Sequence, residues 1–110
     1  MARFTPIFKF LNEYNIAFDF IWHNNTKMKV KDNLVIEIIE DKYVIYDPLN
    51  DKLISLNLSA SLIFEWILKN EKVEDMIKKY VEIYNVNENK AREDIENLIN
   101  ELKKEEIIYD

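Results

Sequence analysis

Catalytic chemistry finds few starting points in this chain. There is one histidine, His23, and there are no cysteines and no glycines. His23 stands in the polar run His23-Asn24-Asn25-Thr26-Lys27, with no nucleophile or carboxylate at an informative spacing, so it reads as a turn residue. Without cysteine there is no disulfide, thiolate metal site or cysteine nucleophile, and the simple expectation is a cytoplasmic chain. Without glycine no backbone loop can close around a phosphate, and a nucleophile elbow is excluded as well. A metal would have to be held by carboxylates alone. The 21 Asp and Glu residues fall mostly at helical surface positions and show no metal-loop spacing. No cofactor and no enzymatic activity are expected.

The chemistry that remains is recognition through the backbone. The segment Lys52-Leu53-Ile54-Ser55-Leu56 reads as a short strand with little polar relief. Unpaired N–H and C=O groups on such a strand can take up an extended peptide.

The elements that must position this strand follow from patterning. The chain has 110 residues, a net charge of −6, 48% hydrophobic and 33% charged residues. That describes a single globular domain with a small stability margin. The net charge disfavours nucleic acid and an anionic membrane surface as partners. The apolar stretch Phe4–Trp22 is broken by Lys9, Asn12, Glu13, Asn15 and Asp19, so it reads neither as a membrane span nor as a signal peptide.

Residues 1–33 form an aromatic extension carrying Phe4, Phe8, Phe10, Tyr14, Phe18, Phe20 and Trp22. Helical spacing after Pro6 gives way to alternation from Ile16 to Trp22, which favours a strand there. Residues 34–110 hold the main domain. Leu34–Ile39, Tyr43–Tyr46 and Lys52–Leu56 read as strands separated by the turns Glu40-Asp41 and Asp47-Pro48-Leu49-Asn50-Asp51, hence an antiparallel meander. Three helices follow. The first, capped by Asn57 or Ser59, is apolar over much of its circumference and should be the most buried. The second shows Val73, Met76, Ile77, Tyr80, Val81 and Tyr84 on one face. The third, capped by Asn87, runs from about Glu88 to Lys104 with Ala91, Ile95, Leu98, Ile99 and Leu102 on one stripe. Ile107-Ile108-Tyr109 is a short extended tail. Three strands followed by three helices describe an α+β, winged helix-turn-helix-like domain.

Tyr43-Val44-Ile45-Tyr46-Asp47-Pro48, then Asp51-Lys52-Leu53-Ile54-Ser55-Leu56-Asn57, then Ser59-Ala60-Ser61 and Ile63-Phe64-Glu65 resemble the PqqD family, also called RiPP recognition elements. Lys72–Ile77 is similar to the opening of that family's second helix. Asp94-Ile95 with Leu98, Leu102 and Ile107-Ile108 resembles its closing helix and tail. The chain departs from the family where glycine usually stands after the first helix and before the tail: here those places hold Lys69/Asn70 and Glu105/Glu106. Asn tolerates a left-handed turn; the second departure suggests a helix that runs on or ends by another route.

What the resemblance implies is a peptide chaperone. It would bind the leader of a ribosomally made precursor peptide and present it to a modifying enzyme, often a radical-SAM enzyme. The leader would add beside Lys52, Leu53, Ile54, Ser55 and Leu56 and pack against Ile95, Leu98, Ile99, Leu102 and Lys103. At least half of that helical stripe must be plain core. Lys103, Lys104 and Arg92 could meet leader carboxylates. Two alternatives stand beside this. The aromatic extension could make the chain an assembly module, by packing on the sheet, forming a homodimer or docking an enzyme. A DNA-binding winged helix is the weaker alternative, because residues 88–104 are themselves net negative. The tail at Ile107–Tyr109, or the aromatic extension, could already cover the strand edge.

Overall fold

The computed structural model describes residues 28–110. The helix and strand expected before Trp22, and the turn at His23, lie outside the described residues. Strand β1 (Lys29–Val30) opens the described chain, followed by β2 (Val35–Ile39), β3 (Lys42–Asp47) and β4 (Lys52–Ser55). Helices α1 (Leu58–Leu68), α2 (Val73–Tyr84) and α3 (Glu88–Lys104) come next, and β5 (Ile108–Tyr109) closes it. Strands β2, β3 and β4 form an antiparallel meander in that order, while β1 and β5 pair in a separate two-stranded ribbon. The tail therefore does not cover β4: Val30 faces Ile108 and Lys29 faces Tyr109. Met28 and Val30, from the stretch read as extension, are buried in the same core as the rest.

Alternation sets which sheet face is buried. Ile36, Tyr43, Ile45 and Leu56 point inward onto Phe64, Ile63 and Ile67 of α1. Tyr43 and Phe64 meet edge to face at 5.3 Å. Helix α1 is capped by Asn57, whose side chain accepts from the Ala60 N–H, and it buries six of its eleven residues. Helix α2 buries Met76, Ile77 and Tyr80; α3 buries Ala91, Ile95, Ile99 and Leu102. Asn87 caps α3 by accepting from the Lys90 N–H.

A chain without glycine must still turn corners. Among the described residues Asn33, Glu40, Asp41, Asp51, Asn70, Asn85 and Glu106 have positive φ. Asparagine and aspartate accept that region more readily than other residues because their short polar side chains bond locally. Glu40 and Asp41 together make the two-residue β2–β3 turn with φ of 53° and 68°, the mirror-image geometry that matches strand twist. Helix α1 ends with Asn70 donating to the Ile67 carbonyl and Glu71 to the Trp66 carbonyl. Helix α3 ends the same way, with Glu106 donating to Lys103 and Ile107 to Leu102. Both are Schellman terminations. The second departure from the family's glycines is thereby explained: Glu106 adopts the glycine conformation at φ 64°. The buried contact between Ile107 and Leu102 is the hydrophobic partner such an ending needs.

A left-handed non-glycine residue costs about 1–2 kcal/mol. Glu106→Gly should therefore stabilise the domain by roughly 1 kcal/mol, offset in part by greater freedom of the unfolded chain. The check is the urea midpoint, which should rise. An unchanged or lower midpoint would mean that Glu106 carries no strain.

Candidate functional site

Strand β4 is one edge of the meander, and hydrogen-bond parity determines what it offers. The Leu56 N–H donates to the Tyr43 carbonyl at 2.9 Å, so Tyr43 and Leu56 turn their backbones toward each other. In an antiparallel ladder this orientation alternates. Given the register Ile45–Ile54 and Asp47–Lys52, those pairs also face inward. Leu53 and Ser55 then direct both N–H and C=O away from β3. No strand pairs with this edge among the described residues. The same parity leaves Ile36 and Ile38 facing outward on β2, the opposite edge.

Three polar contacts hold β4 in place. The hydroxyl of Ser61, which is buried, accepts from the Tyr43 N–H at 2.8 Å and donates to the Leu56 carbonyl at 3.3 Å. It replaces the last rung of the ladder with a bridge into α1. Before β4, the carboxylate of Asp47 is only 1% exposed. It accepts from the Lys31 ammonium at 2.7 Å, the Leu49 N–H at 3.1 Å and the Asn50 amide at 3.0 Å. Lys31, just after β1, is thus the counter-ion of the Asp47-Pro48 turn. Finally, the Lys52 ammonium donates to the Glu105 backbone carbonyl at 3.2 Å and pairs with its carboxylate. That ties the start of β4 to the C-terminal end of α3.

At its other end β4 passes into Asn57, which lines an open cavity of about 270 Å³ with Ala60, Ile63, Asp94, Asn97 and Leu98. With Lys52 at Glu105 and Asn57 at Leu98, β4 runs antiparallel alongside one face of α3. Helical spacing puts Asp94, Leu98, Glu101 and Glu105 on that face. That cavity is the groove between the two; Leu98 lines it, and Leu98 and Ile54 of β4 are both half-buried.

Asp94 accepts from the Tyr80 hydroxyl at 2.8 Å and pairs with Lys90 at 3.1 Å. Burial pulls the Asp94 carboxyl upward, but the bonds from Tyr80 and Lys90 outweigh it and hold the pKa below the usual range. Burial, aided by the Asp94 carboxylate, pushes the Tyr80 hydroxyl up to about 12. Both groups therefore hold fixed protonation states near neutrality, one ionised and one neutral.

Not all residues read from sequence as contacts reach this groove. Leu53 is 68% exposed on the solvent face beside Tyr46, its partner across the strands; Ser55 is exposed too. Ile54 and Lys52 are half-buried, and Leu56 is buried. Leu98 lies at the groove. Ile95, Ile99 and Leu102 do not: they are 0%, 7% and 2% exposed, because they face the core that α3 shares with α1, α2 and β5. Lys103 sits on another face of α3 and pairs with Asp110. Arg92 is held by Glu74 and Glu88. Periodicity identified the stripe but not the direction of the groove. The lining residues Asp94 and Asn97 are polar, as is Glu101 on the same helix face, so no apolar pattern signals them. Among the described residues no group of three or more His, Cys, Asp or Glu could hold a metal ion, and no helix is long and apolar enough to cross a membrane.

A protein-family model described as coenzyme PQQ synthesis protein D (PqqD) matches residues 42–108, from the start of β3 into β5. The chain belongs to the PqqD family. Two solved structures share the fold. One, described as TbiB1 in complex with the TbiA(beta) leader peptide, is 19% identical with a TM-score of 0.69, covering 73% of this chain and 93% of that one. The other, lasso peptide synthetase B1 complexed with the leader peptide, is 20% identical with a TM-score of 0.72, covering 77% and 100%. No curated protein matches the chain. The matched segment spans the PqqD-like strand–turn–strand–helix run, including the Asp47-Pro48 turn, Lys52 and Ser61.

The Asp47 carboxyl lies below its usual pKa, chiefly because Lys31 donates to it, with Asn50 adding to the effect against the cost of burial. A lowered folded-state pKa stabilises the fold above the ordinary aspartate value of about 4, and this contribution is lost as pH falls through the folded value. Asp47→Asn keeps the turn's acceptor and removes the charge. Urea midpoints of the wild type should fall more steeply than those of Asp47→Asn between about pH 7 and pH 3. Parallel curves would contradict the role given to Lys31 and Asp47.

Proposed function

We propose that this PqqD-family chain is a non-catalytic peptide-binding protein. It takes the leader segment of a ribosomally made precursor peptide as a fourth strand on β4 and presents the remainder to a separate modifying enzyme. The observation that carries this is the outward orientation of Leu53 and Ser55 on an edge lying alongside α3. Strand addition draws affinity from backbone bonds and specificity from side-chain pockets, and this site offers both: four outward backbone groups and the cavity beside Leu98. Both solved structures of the same fold hold a leader peptide, which supports the reading. The precursor is a product of the ribosome, so the protein is assigned to the cytoplasm. A radical-SAM enzyme is the partner class that the family resemblance implies.

Proline distinguishes edge binding from any other mode. At residue 53 it removes an N–H that points away from β3, so the ladder is untouched and edge strands accept it. It also removes a donor that an incoming strand needs. Leu53→Pro should keep the fold, seen as an unchanged amide spectrum away from β4. It should weaken by about tenfold, the size of one lost hydrogen bond, the binding of a leader peptide that the wild type binds. Calorimetric titration reads the affinity. Equal binding by wild type and a folded Leu53→Pro variant would rule out strand addition at β4.

A further inference from the structure

The groove also carries information about what the peptide must look like. Three cations on or near α3 are already committed: Lys52 to Glu105, Lys90 to Asp94 and Arg92 to Glu74 and Glu88. Lys103 pairs with Asp110 away from the groove. The sequence had suggested that α3 cations meet leader carboxylates. Of the three so read, Arg92 and Lys103 are committed elsewhere, while Lys104 is exposed and forms no ion pair among the described residues. On the groove face Asp94 and Glu105 have their counter-ions, whereas Glu101, between Leu98 and Glu105, is exposed and has no basic partner among the described residues.

The spacing is specific. Leu98 and Glu101 are separated by about 4.5 Å along the helix axis at 1.5 Å per residue. Alternate residues on one face of a strand are about 6.6 Å apart. A peptide side chain seated at Leu98, beside the cavity at Asn57 and Ala60, therefore places the next side chain on the same face near Glu101. The whole meander is antiparallel, and antiparallel addition carries the peptide from the Leu98 end toward the Lys52 end.

Resting on the strand-addition reading, we propose that the preferred ligand has an aliphatic residue followed two positions later by lysine or arginine. The aliphatic side chain fills the cavity beside Leu98 and the cation meets Glu101. The groove thus selects a basic leader by charge complementarity. The pair is solvent-exposed, so its contribution is modest: about two- to fivefold in affinity at low salt, declining as salt is added.

The test uses short capped synthetic peptides of Thr and Ser with one Ile and, two positions later, Lys, Gln or Glu. The full chain is titrated while the Leu53 and Ser55 amides are followed by NMR. The Lys peptide should bind about two- to fivefold more tightly than the Gln peptide, and the Glu peptide should be weakest. Glu101→Lys, an exposed substitution, should invert the order. If the peptides shift Leu53 and Ser55 without charge preference, or Glu101→Lys leaves the order unchanged, the basic-leader inference fails and strand addition stands. If neither these peptides nor any short peptide encoded near the gene shifts those amides, the strand-addition reading fails and takes the inference with it.

Discussion

An edge strand cannot satisfy its own backbone. Every second residue points its N–H and C=O outward, and each such pair must find water or another chain. In this domain the constraint falls on Ile36 and Ile38 at one edge and on Leu53 and Ser55 at the other, and the surrounding structure holds the β4 pair in that state. Ser61 closes the end of the ladder from inside, which aligns β4 with α1. Asp47 and Lys31 fix the turn before β4. Lys52 reaches across to Glu105 and sets the distance to α3. Each contact is made by a side chain whose hydrogen bonds are settled within the domain, so no described residue takes up the outward groups of β4. The β1–β5 ribbon contributes by occupation: the apolar tail Ile107–Tyr109 is committed to Lys29 and Val30 and does not lie on β4.

The absence of glycine gives this version of the fold its particular local chemistry. Left-handed positions are required at the ends of the helices and in the two-residue turn, because the topology reverses direction there. Asparagine fills several of them at small cost. Glu40 and Glu106 fill two others at greater cost, held by the ladder on either side of the turn and by the Schellman bonds and the Leu102–Ile107 contact. Local preference is overridden where hydrogen bonding and burial together outweigh it.

Much of the fold was legible in the sequence because its signals are periodic or positional. Alternation and the turns Glu40-Asp41 and Asp47–Asp51 mark the meander. The series from Val73 to Tyr84 marks α2, and Asn57 and Asn87 mark helix starts. The β1–β5 ribbon was not legible, since two-residue strands carry no period and their pairing joins the two ends of the domain. The candidate site was half legible. The strand Lys52–Leu56 could be located by composition, but which of its residues turn outward depends on ladder parity, which only the register determines. On α3 the apolar stripe was visible, and most of it is core. The groove is lined instead by Leu98 at the stripe's margin and by Asp94 and Asn97, whose polarity makes them resemble any solvated helix face.

The central claim is that a peptide completes the hydrogen bonding of β4, and amide hydrogen exchange tests it most directly. In the free protein Ile54 and Leu56, which face β3, should be protected, while Leu53 and Ser55 exchange rapidly. With saturating precursor peptide Leu53 and Ser55 should become protected, in the alternation a new strand imposes. Protection appearing instead at Ile36 and Ile38 on the β2 edge, or no gain at Leu53 and Ser55 in a saturated complex, would contradict the account.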